Sequence, residues 1–332
     1  MSKVLLARYA EAVFWLARYI ERVENLARIL DVNETFARDS HGGQNWASIV
    51  DLNGDMARFR ARYPEANADS VLAFYLLDGD NPTSIPSAVR LARDNARALR
   101  PLISTEMWVH LNVFHNRMKA LDPGELTRGN RARLFAWIKE ACQTHTGITE
   151  GTFYRDQGWC FYRLGRSLER ADQTTRILDI KYHLLLPQVR DVGSAVDISQ
   201  WNALLRSAAG YHAFRRLHSG ALTPSRVVGF MLLSRRFPRA VTLCLQDVAN
   251  TLHEVCSAYM LRGGGEAGEI LDDTLSMLDG RDVEEILSLG LHEFLDLLQR
   301  RTGEVTRQLG MAFFGYGAGP ANKAIAQPGI EA

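Results

Sequence analysis

The stretch LARYIERVENLARILDV at residues 16–32 returns, at a constant offset of 148 and without a gap, as LGRSLERADQTTRILDI at residues 164–180. Leu16, Arg18, Glu21, Arg22, Arg28, Ile29, Leu30 and Asp31 recur as Leu164, Arg166, Glu169, Arg170, Arg176, Ile177, Leu178 and Asp179. Neither copy holds a proline or a run of β-branched residues, so both predict helix. Leu16, Ile20, Val23, Ala27 and Leu30 fall at helical spacing and form one apolar face. Beside it runs a polar line, Arg18, Glu21, Asn25 and Arg28, repeated as Arg166, Glu169, Gln173 and Arg176. A solvent-facing ladder of such residues contributes roughly a few tenths of a kcal/mol per pair and is free to drift. Two copies that keep arginine, glutamate, amide and arginine in one order favour instead a buried or half-buried network. In such a network each carboxylate accepts from a guanidinium that cannot deprotonate. It serves either structure or anion binding, and the residues alone leave both open.

Working outward, Trp46, Phe59 and Arg60 correspond at offset 155 to Trp201, Phe214 and Arg215. Phe74, Leu76, Leu77 and Pro82 correspond at offset 156 to Phe230, Leu232, Leu233 and Pro238. Matched blocks in one order predict a tandem duplication of a unit of about 150 residues, too long for a solenoid repeat. The first repeat is placed at 1–147 and the second at 148–314. The tail 315–332, rich in glycine, proline and small residues, is expected to be disordered. No alternating strand pattern occurs. The expected fold is therefore all-α, a helical bundle of two tandem, diverged repeats with pseudo-twofold symmetry, in which the two Glu-Arg helices pack against each other. Helices are expected over 4–36, 46–63 (ended by Pro64) and 70–77, from Ser84 or Ser87, and over 103–120 and 134–142. A second long helix should begin near Thr149 and a last one run from Asp282 to about Phe314.

Composition narrows the function classes. The 332 residues are 46% hydrophobic and 23% charged, and 39 basic against 38 acidic residues leave a formal charge of +1. That balance predicts no polyanion partner, and nucleic acid is not expected. Cys142, Cys160, Cys244 and Cys256 lie far apart without CxxC spacing, as reduced thiols of a cytoplasmic protein would. Arg8, Glu11, Arg18, Glu21 and Arg22 interrupt every apolar run near the N-terminus, so neither a signal peptide nor a membrane span is expected.

Locally the charge is uneven. Arg206, Arg215, Arg216, Arg226, Arg235, Arg236 and Arg239 fall between Ile198 and Gln246, where there is no acidic residue. The matching part of the first repeat carries Asp51, Asp55, Glu65, Asp69, Asp78 and Asp80. The arginines are candidates for contact with an anion or an acidic partner. Alternatively the acidic stretch from Asp247 to Asp296 neutralises them within the fold.

No established catalytic motif is present. RGGGEAG at 262–268 lacks a leading strand and a P-loop lysine and reads as a helix connection. His253 and Cys256, at i and i+3, have no second pair and read as core residues. No metal site and no cofactor are expected on this chain.

The motifs IERVENLARILD and LERADQTTRILD carry a resemblance to the alpha-E family, helical bacterial proteins with a recurring Glu-Arg pair, here Glu21-Arg22 and Glu169-Arg170. ARDNAR at 92–97, STEMW at 104–108 and LLRSAAGYHAFRR at 204–216 are similar to that family as well. The resemblance implies an association with circularly permuted ATP-grasp proteins and with transglutaminase-like proteins. It thereby implies a non-catalytic helical partner, or accessory subunit, of an ATP-grasp-type ligase that forms or modifies peptide (amide) bonds. ATP and Mg²⁺ would then sit on the ligase. The alternatives are an enzyme using Glu21 and Glu169 as acid and base with arginines holding an anionic substrate, or a scaffold that only assembles other proteins.

Overall fold

The structure is a computed structural model that describes residues 5–39, 46–184 and 195–317. Among the described residues all regular structure is helical. The centre is formed by two long helices, α1 (Ala7–Asp39) and the later Gln157–Leu184, which carry the two Glu-Arg stretches. Their mutual packing follows from the apolar face that both present. Between them come α2 (Ala47–Leu52), α3 (Met56–Arg60), α4 (Ala68–Leu76), α5 (Ile85–Ala98), α6 (Thr105–Lys119) and α7 (Arg131–Thr152), and Gln157–Leu184 is then α8. The second half continues with α9 (Ala195–Ser207), α10 (Tyr211–Leu217), α11 (Pro224–Leu233) and α12 (Val241–Ala258). After these follow α13 (Gly265–Asp279), α14 (Val283–Leu289) and α15 (Leu291–Leu309), which ends in a π-turn at Gly310–Phe314.

Local chemistry sets these boundaries. Asn67 and Ser70 form a capping box at the start of α4. Ser84 caps α5 ahead of Pro86 in its first turn, and Ser104 caps α6. The expected helix over 46–63 is two helices, because the chain turns at Asn53-Gly54, where Gly54 has φ +67°. The expected 134–142 helix extends to Thr152, and the second long helix starts at Gln157 rather than Thr149. Asp156 accepts from the Gly158 amide at that start. The expected last helix is divided at Gly290, whose φ of +112° no helix can contain. Tyr316, placed in the tail by sequence, is packed on α1: its hydroxyl donates to Glu11 (2.7 Å) and accepts from Trp15 Nε1 (3.0 Å). The rest of the tail, from 318, and most of the polar break at 39–45 lie outside the described residues.

Contacts rise together along the central pair. The Leu5 amide donates to Gln157 (2.8 Å), Phe14 lies against Gly165, and Glu21 meets Arg170. The two helices therefore run parallel. They approach closely at Gly165, where an added Cβ would overlap the Phe14 carbonyl oxygen. On its outer sides α1 packs on α5 and α7, and α8 on α12 and α15. Lys139 of α7 pairs with Asp31 (2.7 Å) and His292 of α15 with Asp179 (2.8 Å), so the repeated aspartate pins one outer helix in each half.

Candidate functional site: the Glu-Arg centre

The polar line of each central helix faces the other helix, and the carboxylates are exchanged across the interface. Glu169 accepts from Arg18 Nε (2.7 Å), from Arg22 Nε (2.7 Å) and Nη2 (3.1 Å), and from Gln173 (3.2 Å). Glu21 accepts from Arg170 Nε (3.0 Å) and Nη2 (2.7 Å), from Arg239 Nη1 (2.7 Å) and from Asn25 (3.2 Å). Both glutamates are buried. One turn further on, Arg28 binds Glu24 (2.6 Å) and the Ser207 carbonyl (3.2 Å). Arg176 in turn binds Asp172 (2.8 Å) and the Leu52 carbonyl (2.9 Å).

Two opposed effects set the ionisation of these carboxyls. Burial by itself raises the Glu169 pKa, but Arg22 and Arg18 outweigh it and hold the group down at about 2. Glu21 behaves in the same way, held well below the ordinary carboxylate range by Arg170 and Arg239 against the pull of burial. Each carboxylate is thus charged at neutral pH and accepts four hydrogen bonds, two on each oxygen of Glu169 and three on Oε1 and one on Oε2 of Glu21.

Of the polar line and the Glu-Arg pairs, Arg18, Arg22 and Gln173 meet at Glu169, and Arg170 and Asn25 meet at Glu21. Arg28 joins the latter through Glu24 and Arg239, while Arg176 stays with Asp172 and the Leu52 carbonyl. Arg166 does not reach Glu21. It pairs with Glu150 of α7 (2.9 Å), whereas its counterpart Arg18 crosses to Glu169 and to Thr306 of α15 (2.8 Å). Glu24 and Asp172 are members that the sequence reading misses. An acid four residues before Arg28 and before Arg176 is the available signal.

The arginine-rich segment divides. Arg239 does not belong to a surface group: it is 8% exposed and its guanidinium bridges Glu21 and Glu24, with 2.8 Å to the latter. Nothing in its sequence neighbourhood signals this role. Arg206, Arg215, Arg216, Arg226, Arg235 and Arg236 are exposed. Arg235 pairs with Asp279 of the acidic stretch (2.6 Å), and Arg206 lies over the Tyr211 ring (4.5 Å). Phe214, Phe230 and Phe237 stack in sequence, which sets α10 beside the loop of Arg235 and Arg236. Of the aspartates in the first repeat, Asp55 is not a surface charge. It is buried and accepts from Tyr75 (3.0 Å), Thr83 (2.5 Å) and Arg58 (2.9 Å). Asp78 and its counterpart Ser234 share one task, accepting from the amides that follow them in the turn.

The glycine run at 262–268 joins α12 to α13. The Cys256 thiol donates to the Gly263 carbonyl (3.4 Å). Among the described residues no group of three or more His, Cys, Asp or Glu side chains is arranged to hold a metal, and no helix is long and apolar enough to cross a membrane.

The helical class and the repeated Glu-Arg motif agree with the family comparison. The family model of Alpha-E, described as a predicted alpha-helical domain with a conserved ER motif, aligns with residues 5–314. The chain belongs to the Alpha-E family. In this member the ER pairs are Glu21-Arg22 and Glu169-Arg170, and each glutamate is bound by arginine from the opposite helix. Comparison with curated proteins and with solved structures gave no match.

Proposed function

We propose that this Alpha-E chain is a non-catalytic helical partner of an ATP-grasp-type ligase acting in peptide (amide) bond formation or modification. ATP and Mg²⁺ would be held by the ligase, and a transglutaminase-like protein would be a further member of the assembly. The observation that carries the non-catalytic part is that both motif glutamates are buried and each is held by two arginines. A general acid or base needs a pKa near the working pH and a free position toward substrate, and Glu169, near 2 with its oxygens occupied, has neither. This disfavours the reading in which Glu21 and Glu169 act as acid and base. The ligase as partner rests on the family resemblance, and the cytoplasm as its place on the four free cysteines.

The same reading includes two diverged repeats, 1–147 and 148–314, related by a pseudo-twofold axis along the central helices. Reciprocal contacts support it: Glu21 with Arg170 and Glu169 with Arg22, then Arg28 with the Ser207 carbonyl and Arg176 with the Leu52 carbonyl. Ser207 lies 155 residues after Leu52, the offset that also relates Trp46 to Trp201.

The ligase is expected to dock on the exposed arginines of α9–α11 and the following loop, where the acid-free segment presents charge. Co-purification of the tagged chain with the products of its neighbouring genes, and identification of an ATP-grasp-type protein among them, tests this. Binding should weaken as salt approaches the range where the Debye length falls to about 3 Å, near 1 M. The charge reversal R235E/R236E should release the ligase while leaving helical content and Tm unchanged. No co-purification at low salt would refute the partnership. Binding indifferent to salt and to both substitutions would move the docking face elsewhere.

A further inference from the structure

Two of the stretches that resemble the family, ARDNAR at 92–97 and STEMW at 104–108, take no part in the Glu-Arg centre, yet α5 and α6 bring them together. Trp108 of α6 is half-buried, and two guanidiniums of the α5 segment lie over its ring, Arg100 at 5.0 Å and Arg93 at 5.6 Å. Arg93 is fixed there by Asn112 (3.0 Å), one turn after Trp108. Arg90 and Arg97 extend the row at helical spacing and are exposed. Asp94 is the one acidic residue of this row, 3.4 Å from Arg93 and 4.0 Å from Arg90, and among the described residues Arg97 and Arg100 have no acidic partner. Next to Trp108 along α6, Val109 and Val113 stand 51% and 62% exposed, one turn apart. Four guanidiniums against two carboxylates, Asp94 and the exposed Glu106 that stands one turn before Val109 on α6, leave this face cationic on a chain whose formal charge is only +1.

Trp108 and Arg93 also join α5 to α6 and the core, but Val109 and Val113 bury little, and among the described residues Arg90 and Arg97 form no ion pair with another helix. Tryptophan and arginine are the residues on which protein contacts concentrate their binding energy, and a ring held under two guanidiniums is fixed before a partner arrives. We propose that the α5–α6 face is a second docking surface, separate from the arginines of α9–α11, and that it binds an acidic segment of another protein. Carboxylates of that segment pair with Arg90, Arg97 and Arg100, and an apolar side chain of it packs on Trp108 and Val109–Val113. Charge complementarity selects the acidic partner. The apolar strip beside the charges selects a peptide over a nucleic-acid backbone, which offers phosphates but no aliphatic anchor.

The test measures anisotropy of a fluorescein-labelled peptide of glutamates and leucines, titrated with the full chain at low salt. Its glutamine-for-glutamate counterpart and a single-stranded RNA serve as competitors. The acidic peptide should bind, the glutamine peptide should bind at least about tenfold more weakly, and the RNA should not displace it. R90E/R97E should cost at least about tenfold in affinity, and V109D/V113D a comparable factor. All four positions are exposed, so circular dichroism and Tm should stay at wild-type values, whereas R235E/R236E should leave peptide affinity unchanged. Equal binding of the two peptides, displacement by RNA, no binding at low salt, or affinity unmoved by R90E/R97E would each overturn the proposal.

Discussion

Removing the Glu21 carboxylate would take from the largely buried Arg170 its paired acid and leave the buried Arg239 with Glu24 alone. Glu21→Ala should therefore cost about 3–5 kcal/mol in urea unfolding. A loss below about 1 kcal/mol would mean that solvent screens the pair as it does at a surface. The acid limb of stability should show two separable components. His145 is buried, and its pKa is lowered from 6.5 to about 3. The unfolded chain accepts a proton that the folded one refuses, so stability is lost as pH falls through 6.5 toward 3. Glu169, lowered from 4.5 to about 2, contributes stability that is present above 4.5 and lost as pH falls toward 2. Urea midpoints measured against pH should fall less steeply above pH 4.5 in His145→Gln, and less steeply below it in Glu169→Gln, where His145 and Glu21 still contribute. At this scale the repeated polar line marks the helix face that carries both glutamates and the arginines that cross to them. It cannot show Arg239 closing over Glu21 and Glu24, since 215 residues separate Arg239 from Glu24 and only packing joins them.

At the scale of the helix, the parallel approach of α1 and α8 depends on Gly165. A methyl group there would meet the Phe14 backbone, which cannot rotate aside. Gly165→Ala should cost about 1–3 kcal/mol through overpacking. Gly147, inside α7 with nothing within 4 Å of an added Cβ, is the control. Gly147→Ala should raise stability by about 0.4–1 kcal/mol, because alanine loses less backbone entropy on folding. Differential scanning calorimetry of the two variants should move Tm in opposite directions. Helix prediction fails here across glycine: apolar spacing runs on through Gly54 and Gly290, while positive φ breaks the helix at both. Serine caps and prolines act on their own neighbours and are legible where they stand, as at Ser84 and Ser104.

At the scale of the whole chain, neither half supplies the arginines of its own motif glutamate. Arg18 and Arg22 of the first half need Glu169, and Glu21 needs Arg170 and Arg239 of the second. Residues 1–147 expressed alone should therefore lack a cooperative unfolding transition in circular dichroism. Mixing them with 148–332 should restore it. A cooperative transition in the isolated first half would show that the central exchange is dispensable for folding. What the sequence determined by itself is what repeats and local rules carry: the all-helical class, the family, the pairing of two Glu-Arg helices and the residues that line it. Only the tertiary structure decided which guanidinium serves which carboxylate, that Arg239 turns inward while its neighbours face solvent, and that ARDNAR and STEMW meet at one tryptophan. The physical reason is range. Helix formation is settled within a few residues by spacing and caps, whereas an ion pair across a bundle depends on where distant backbones come to rest, and that is set by the packing of every helix between them.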